Sequence, residues 1–485
     1  MKKKFLINLC LLVILNLLVK PFWVFGIECT VQNLTGSGEY GFYFSLLNFS
    51  LLFNIFLDLG ITNFNNRSLA REPGLFKQYY FNIVIVRLLL AFLYGAVTLT
   101  AALLVGYEKR QLWMLLILVI NQFLASFVLY LRSNLSGLQH YTTDSLMSVL
   151  DRGIMIAISS VILWGNVINQ PFRIEWFAYI QLAGYSLAAV ILALVVKFKT
   201  SGFSISFDSE YARKIIQQSL PYALLVFLMA TYTRIDGVML ERLLPDGKVQ
   251  AGIYAQSFRI LDAASMFAFL FPTLLLPMFS RLLASKEDIS SLVKLGFSLI
   301  LIFSTALSFS CYGNSGSLID LIYKHDNQYS AQVFSVLILV LIPISTTYIF
   351  GTLLTANGNL KQLNYMAVVA VVINIGLNLL LIPAYKAVGA AIASLTTQLL
   401  AAICQVVLSF KLVKVKISLG EITRYLGFIM ISALATMFIS LVAYPWEIHF
   451  IGTAFTVGLL SLITGILPVN KMVKMLRQAA WNTKN

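Results

Sequence analysis

The residues that offer chemistry in this sequence are a few charges set inside long apolar runs. Lys20, Arg234 and Arg259 are the cations, with Arg87 as a secondary candidate. An ionisable group inside a bilayer span costs roughly 2.5–3.5 kcal/mol on insertion scales and marks a functional site by default. Lys20 and Arg234 stand 214 residues apart. At about 1.5 Å per residue, both lie in the outer half of their helices, and Arg259 enters about 10 Å from the outer end of its own. Such cations suit an anionic cargo. The acids are Asp58, Asp236 and Asp262. Asp58 and Arg87 each sit about one turn from the inner face on consecutive spans, a spacing for a structural ion pair. Asp236 is two residues from Arg234, and Asp262 follows Arg259 by three, on one helix face. These three acids are therefore candidates for ion coupling or for ion pairs, and snorkelling to the interface is the bland alternative for the cations.

No other constellation competes with these charges. Cys10, Cys29, Cys311 and Cys404 are scattered without a C-x-x-C spacing, and His140, His325 and His449 are too far apart in sequence to pair as ligands. We expect no metal site, no cofactor and no catalytic group.

The elements that must hold the charges are membrane helices. The chain is 59% hydrophobic and only 11% charged over 485 residues, with a mean hydropathy of +0.84. A bilayer core about 30 Å thick needs roughly 20 apolar residues per helix, and blocks of that length recur throughout. They predict spans near 5–27, 39–62, 82–106, 112–131, 147–166, 174–196, 217–241, 252–280, 292–312, 331–356, 361–383, 385–411, 422–444 and 448–467. Fourteen is the expected number, with twelve as the alternative if the pairs around Pro383 and Pro445 are single kinked helices. Blocks this long exclude an outer-membrane barrel, whose strands carry about ten residues. Lys2, Lys3 and Lys4 before the first run resemble a secretion signal, but no small-x-small cleavage site follows, so the run is read as the first helix.

Most of the 35 lysines and arginines fall in the segments that are cytoplasmic if the N-terminus is inside, including Arg67, Arg71, Lys77, Lys197, Lys199, Arg213, Lys214, Lys411, Lys414, Lys416, Lys471, Lys474 and Arg477. The expected topology is a multi-pass protein of the bacterial inner membrane with both termini cytoplasmic. Anionic membrane lipids beside these loops account for the formal charge of +15, so nucleic acid is not an expected partner. The connections are short and leave no room for a soluble catalytic domain.

Internal repetition organises the spans. Gly38-Glu39-Tyr40 opens the second span and Gly252-Ile253-Tyr254 opens the eighth, again 214 residues apart. Ser136-Gly137-Leu138-Gln139 follows the fourth, and Asn357-Gly358-Asn359 follows the tenth. Both steps are six helices. They predict two pseudo-symmetric six-helix lobes of like orientation, over 1–200 and 201–416, with two added helices and a basic tail over 417–485. Two such lobes enclose a central cleft that Lys20, Arg234 and Arg259 are expected to line. Asn374 and Asn378, one helical turn apart, with Asn48, Asn121, Gln122, Gln398 and Gln405, are read as interhelical hydrogen-bonding groups, and Gly389 with Ala393 as a close-packing pair.

The chain resembles the polysaccharide-biosynthesis flippases, the Wzx-type O-antigen transporters of the MOP superfamily that also holds the multidrug and toxin extrusion proteins. The resemblance spans most of the sequence and is strongest in Asn374-Ile-Gly-Leu-Asn378-Leu-Leu-Leu-Ile382-Pro383 followed by Val388-Gly389-Ala390-Ala391-Ile392-Ala393. Ala251-Gly252-Ile253-Tyr254 running to Leu276-Pro277-Met278-Phe279-Ser280-Arg281, and Gly38-Glu39-Tyr40-Gly41 leading to Leu59-Gly60, carry the rest. It implies an all-α membrane fold of two six-helix lobes with two further helices. It also implies alternating access that moves a polyprenyl-pyrophosphate-linked oligosaccharide, the repeat unit of an O-antigen, capsule or exopolysaccharide, from the inner to the outer leaflet. Lys20, Arg234, Arg259 and secondarily Arg87 are the residues on which binding of the pyrophosphate would fall. A polysaccharide polymerase and glycosyltransferases of the same pathway are the candidate protein partners. The alternatives are a drug or cation antiporter of the same superfamily and, as an enzyme, a membrane glycosyltransferase or polysaccharide polymerase.

Overall fold

The computed structural model describes residues 14–62, 65, 69, 75–165, 167, 170–199, 209–325 and 327–467, with the side chains of 75–79, 209–222 and 327 left aside. Cys10 and the basic residues at 67, 71, 471, 474 and 477 lie outside the described residues, as does the expected lobe boundary at 200/201.

The described chain is helical, as a bilayer requires of segments that must satisfy their own backbone hydrogen bonds. In order the helices are α1 (Ile14–Leu52), α2 (Ile55–Asp58), α3 (Leu75–Leu104), α4 (Lys109–Gly137), α5 (Tyr141–Met147), α6 (Leu150–Trp164), α7 (Ile174–Lys199), α8 (Ser209–Leu243), α9 (Gly247–Ala268), α10 (Leu270–Ala284), α11 (Ser290–Gly313), α12 (Ser315–Ile322), α13 (Asn327–Ile338), α14 (Leu341–Ala356), α15 (Leu360–Leu412), α16 (Leu419–Ser440) and α17 (Trp446–Ile463). Among the described residues twelve stretches are long and apolar enough to cross a membrane. Three of them run to 38 residues or more, and of these α1 with 39 and α15 with 53 are each broken inside a single helix. Each contains one non-helical residue, Gly36 (φ 77°, ψ 166°) in α1 and Lys386 (φ 52°, ψ −129°) in α15. Breaking both gives the expected fourteen.

The breaks differ from the sequence expectation in position. Pro383 sits inside the helix and the chain turns three residues later, at Lys386. The segment 28–35, expected as a loop, continues the helix up to Gly36, whose left-handed φ only glycine adopts without strain. The second span, expected to be continuous over 39–62, stops at Leu52 and resumes as α2, which Leu59 and Gly60, both at positive φ, terminate. The repeated Gly-containing motifs after α4 and α14 are equivalent helix ends. Gln139 (φ 63°) and Gly358 (φ 80°) are left-handed, and the next amides reach back five residues, His140 N to Leu135 O at 2.8 Å and Asn359 N to Leu354 O at 2.9 Å.

The chain divides into two compact units. The first comprises residues 1–255, 323–325 and 375–390. In it α4 packs on α7, α6 on α7, and α1 on both α4 and α8. Its core contains Ile61, Ile83, Val86, Leu90, Val128, Leu131, Leu135, Leu192 and Val196. Gly237 lets α8 close on α1, because a Cβ there would lie 2.9 Å from both Asn48 Nδ2 and Phe44 Cε1. Arg87 of α3 is fully buried and forms an ion pair with Asp58 of α2. It also donates to the Ser126 carbonyl at 3.1 Å and lies 4.8 Å from the Tyr130 ring centre.

The second unit comprises 256–322, 326–374 and 391–485. Ala268, Leu275, Phe279, Val293, Ile300, Ile349, Phe350 and Leu353 fill its core. The C-terminal pair α16 and α17 packs on α11 and on each other, with Phe428 and Val457 meeting Leu301. Lys294 of α11 and Glu421 of α16, 2.7 Å apart, add an ion pair.

Two stability outcomes follow from this packing. A Cβ at Gly389 would fall 2.3 Å from the Leu381 carbonyl oxygen, whereas Gly376 has open space. Gly389→Ala should therefore lower stability by about 1–3 kcal/mol, read as a lower melting temperature in detergent, and Gly376→Ala should leave it nearly unchanged. Arg87→Met alone should cost about 3 kcal/mol by stranding Asp58, and the Asp58→Asn/Arg87→Met double variant clearly less. Equal losses would mean that the pair contributes nothing as a pair.

Candidate functional site

The first leg of α1 is amphipathic in the membrane sense. Ile14, Leu18, Phe22 and Phe25 are exposed at spacings of three and four and form its lipid-facing stripe. Lys20 lies on the opposite face. On α6 the exposed residues are Gly153, Ala157, Val161 and Trp164, while Met155 and Ser159 are completely buried. Arg152, three residues before Met155, shares that inward face. Both cations keep part of their surface accessible.

Lys20 and Arg152 act on each other electrostatically, with Arg132 as a third positive charge and Asp151 as the opposing one. Arg132 is anchored to Asp144 at 2.9 Å. The start of α1 is pinned to the α5–α6 connection by the Asn16 amide, which donates to Ser148 Oγ at 2.8 Å.

Arg152 stands on an aromatic pedestal. Its guanidinium carbon is 5.3 Å from the Trp23 ring centre and 5.7 Å from that of Tyr185. Trp23 stacks on Phe177 at 5.6 Å, and Tyr43 meets Phe177 edge-on at 5.2 Å. Gln181 Nε2 donates to the Tyr43 hydroxyl at 2.7 Å. Residues Trp23–Glu28 form a π-helical turn, the local widening that recurs at functional positions. Across that turn Trp23 Nε1 donates to Glu28 Oε1 at 2.7 Å, and the Glu28 carboxylate, Tyr185, Asp151 and Tyr43 all act on the charge of Arg152. Rings give a cation attraction without neutralising it, so this surrounding holds the guanidinium in place while its charge persists.

The other expected site residues are distributed. Arg234 and Asp236 lie on α8 in the first unit. Asp236 is almost fully buried, and accepts from the Tyr254 hydroxyl at 2.9 Å and from Asn378 Nδ2 at 2.7 Å, so α8, α9 and α15 converge on it. Arg259 and Asp262 lie on α9 in the second unit, with Arg259 Nη1 3.8 Å from Asp262 Oδ2. Arg87 and Asp58 hold each other, as described above. Of the polar groups read as interhelical, Asn121 donates to the Ala178 carbonyl at 3.1 Å and Asn378 to Asp236. Among the described residues no group of three His, Cys, Asp or Glu side chains is placed to hold a metal ion.

Arg152 is a candidate site residue that the sequence reading passes over. The signal was present, because Arg152 falls inside an expected span as Lys20 does.

The family model described as polysaccharide biosynthesis protein matches residues 7–283, more than half of the chain. No curated protein matches. Among solved structures, the lipid II flippase MurJ in an inward closed conformation superposes with a TM-score of 0.69 at 12% identity, covering 97% of this chain and 99% of that one. An inward-facing multidrug resistance MATE family transporter of the MOP superfamily gives 0.62 at 14% identity over 81% and 94% of the two chains. A MOP superfamily transporter from Pyrococcus furiosus, described as having a binding pocket of reverse polarity, gives 0.54 at 14% identity over 84% and 93%. The repeated motifs, the two broken long helices and these matches agree: the chain belongs to the polysaccharide biosynthesis protein family and has the fold of the MOP superfamily transporters.

Proposed function

We propose that this protein is a flippase that moves a polyprenyl-pyrophosphate-linked oligosaccharide from the inner to the outer leaflet of the bacterial cytoplasmic membrane by alternating access, with both termini in the cytoplasm. The observation that carries the reading is the pair of inward-facing cations, Lys20 and Arg152, held on membrane helices away from the lipid stripe. A pyrophosphate cannot enter hydrocarbon alone, and a guanidinium beside an ammonium offsets its lost hydration. The prenyl chain is as apolar as lipid and needs no enclosure, whereas the sugars need a polar path. Membership of the polysaccharide biosynthesis family supports the glycan, and the likeness to the lipid II flippase MurJ supports a lipid-linked one.

In this reading Arg234 is a further cation of the first unit, Arg87 is structural, and Asp262 tempers Arg259. Asp236, gripped by Tyr254 and Asn378, is the acid we assign to ion coupling. The protein acts as a transporter and leaves bond making to glycosyltransferases and a polymerase of the same pathway.

Proteoliposomes holding a fluorescent oligosaccharide-diphosphate-prenol provide the test. Lys20→Gln/Arg152→Gln should reduce transbilayer movement at least ten-fold with an unchanged melting temperature, and Lys20→Arg should retain most of it. Export of a cationic dye, with no effect on the glycan-lipid, would instead identify a drug antiporter. Asp236→Asn should remove any acceleration by an imposed proton or sodium gradient while movement down the substrate gradient persists. An unaltered gradient response would assign coupling elsewhere.

A further inference from the structure

The parts of α15 that belong to the second unit, 360–374 before its break and 391–412 after it, leave a groove of about 350 Å³ between them. Ala370, Thr397 and Ala401 form its floor and are buried, while Tyr365, Val369 and Leu400 stand exposed along its sides. The alanines, one on each leg, are too short to close the gap. Gln362 and Leu408 mark one end of the groove, and Ile373 and Thr397 the other. Eleven residues separate the two ends on either leg, about 16 Å at 1.5 Å per residue. One leaflet of a hydrocarbon core about 30 Å thick is about 15 Å deep. The groove therefore has the length of a single leaflet, and in the expected topology its Gln362–Leu408 end lies at the cytoplasmic interface.

The floor carries a polar group with nothing to bond. Thr397 is 1% exposed, and its hydroxyl has no hydrogen-bond partner among the described residues. Thr231, Thr346, Thr352 and Thr355 each return theirs to the carbonyl four residues earlier. A buried donor left without a partner is costly, and the double bond of an unsaturated chain lying in the groove would offer it a weak acceptor.

The inner end is basic. Between Asn327 and Gly420 the sequence has five lysines, Lys361, Lys386, Lys411, Lys414 and Lys416, and no Asp or Glu. Lys361 stands in the first turn of α15, next to Gln362, and Lys411 in the last turn, three residues past Leu408. Lys414, at φ 57°, lies just beyond the helix end. From there the chain alternates: Val413, Val415 and Ile417 pack on the core of the second unit, and Lys414 and Lys416 are exposed. Lys416 acts on the charge of Asp288, so Lys361, Lys411 and Lys414 are the ammonium groups left for the mouth of the groove.

We propose that the groove is a site for one acyl chain of an anionic phospholipid of the inner leaflet, with the phosphate held by Lys361, Lys411 and Lys414. Apolar sides one leaflet long select a hydrocarbon chain, and ammonium groups at the interface select an anionic headgroup. A second copy of the chain fits this face poorly, because a two-fold contact would set the acid-free stretch against itself. The site belongs to the second unit, whereas Lys20 and Arg152 belong to the first, and it holds whatever the cargo is.

Cys404 lines the groove and serves as a native reporter. Protein in detergent, stripped of lipid, is treated with N-ethylmaleimide, and modification of Cys404 is followed by peptide mass. Dioleoylphosphatidylglycerol should slow the modification at least five-fold and raise the melting temperature. Dioleoylphosphatidylcholine, with the same chains and no net charge, should slow it less than two-fold. Lys361→Gln/Lys411→Gln/Lys414→Gln, at three exposed positions, should leave the lipid-free rate and melting temperature unchanged and abolish the difference between the two lipids. Equal protection by both lipids in the unaltered chain, or protection by neither, overturns the proposal. Protection by a polyprenyl phosphate alone also overturns it, by making the groove part of the cargo path, and so does a Cys404 shielded without lipid in a chain that migrates as a dimer.

Discussion

The hydrocarbon interior supplies no water to complete a hydrogen bond or to solvate a charge, and the architecture follows from that deficit. Backbone groups have to be satisfied along the segment itself, which makes every described span a helix. An interruption then has to be placed where side chains or other backbone groups take up the freed donors and acceptors. Gly36 and Lys386 obey this rule. Each sits within a cluster of hydrogen bonds that includes Gln32, Asn33, Gln250 and Asp246.

The same deficit sorts the charges. Arg87 is covered by Asp58, Ser126 and the Tyr130 ring, so its charge is spent locally. Arg152 is surrounded chiefly by rings, with Glu28 and Asp151 acting on it through space. Rings steady a guanidinium without ending its field, whereas a contacting carboxylate largely does. Two arginines of one bundle, one fully buried and one partly accessible, thus differ in what surrounds their charge, and the difference comes from their neighbours.

Glycine sets where helices come close. Gly41, Gly252, Gly237 and Gly389 each admit another chain segment to a distance that a methyl group would forbid. The tripeptides opening the second and eighth spans, a sign of duplication in the sequence, lie at the α1–α9 seam. Gly252 rests on Ser37, next to Gly38. The repeated motifs after α4 and α14 end their helices alike through Gln139 and Gly358.

Length and apolar periodicity by themselves determined the class, an all-helical membrane protein, because hydrophobic matching to a bilayer is a one-dimensional property of the chain. They also put Lys20, Arg234 and Arg259 inside expected spans. The run 28–35 looked like a loop because Glu28 and Cys29 interrupt the apolar block, yet a π-helical turn and the Trp23 indole accommodate the acid and the helix continues. Pro383 looked like the break, but it lies inside the helix and the chain turns at Lys386, whose ammonium pairs with Asp246. Which cation keeps its charge available, Arg152 or Arg87, was decided only by tertiary structure. That outcome depends on whether rings or a carboxylate arrive from other helices, and the spacing along one helix carries no information about them.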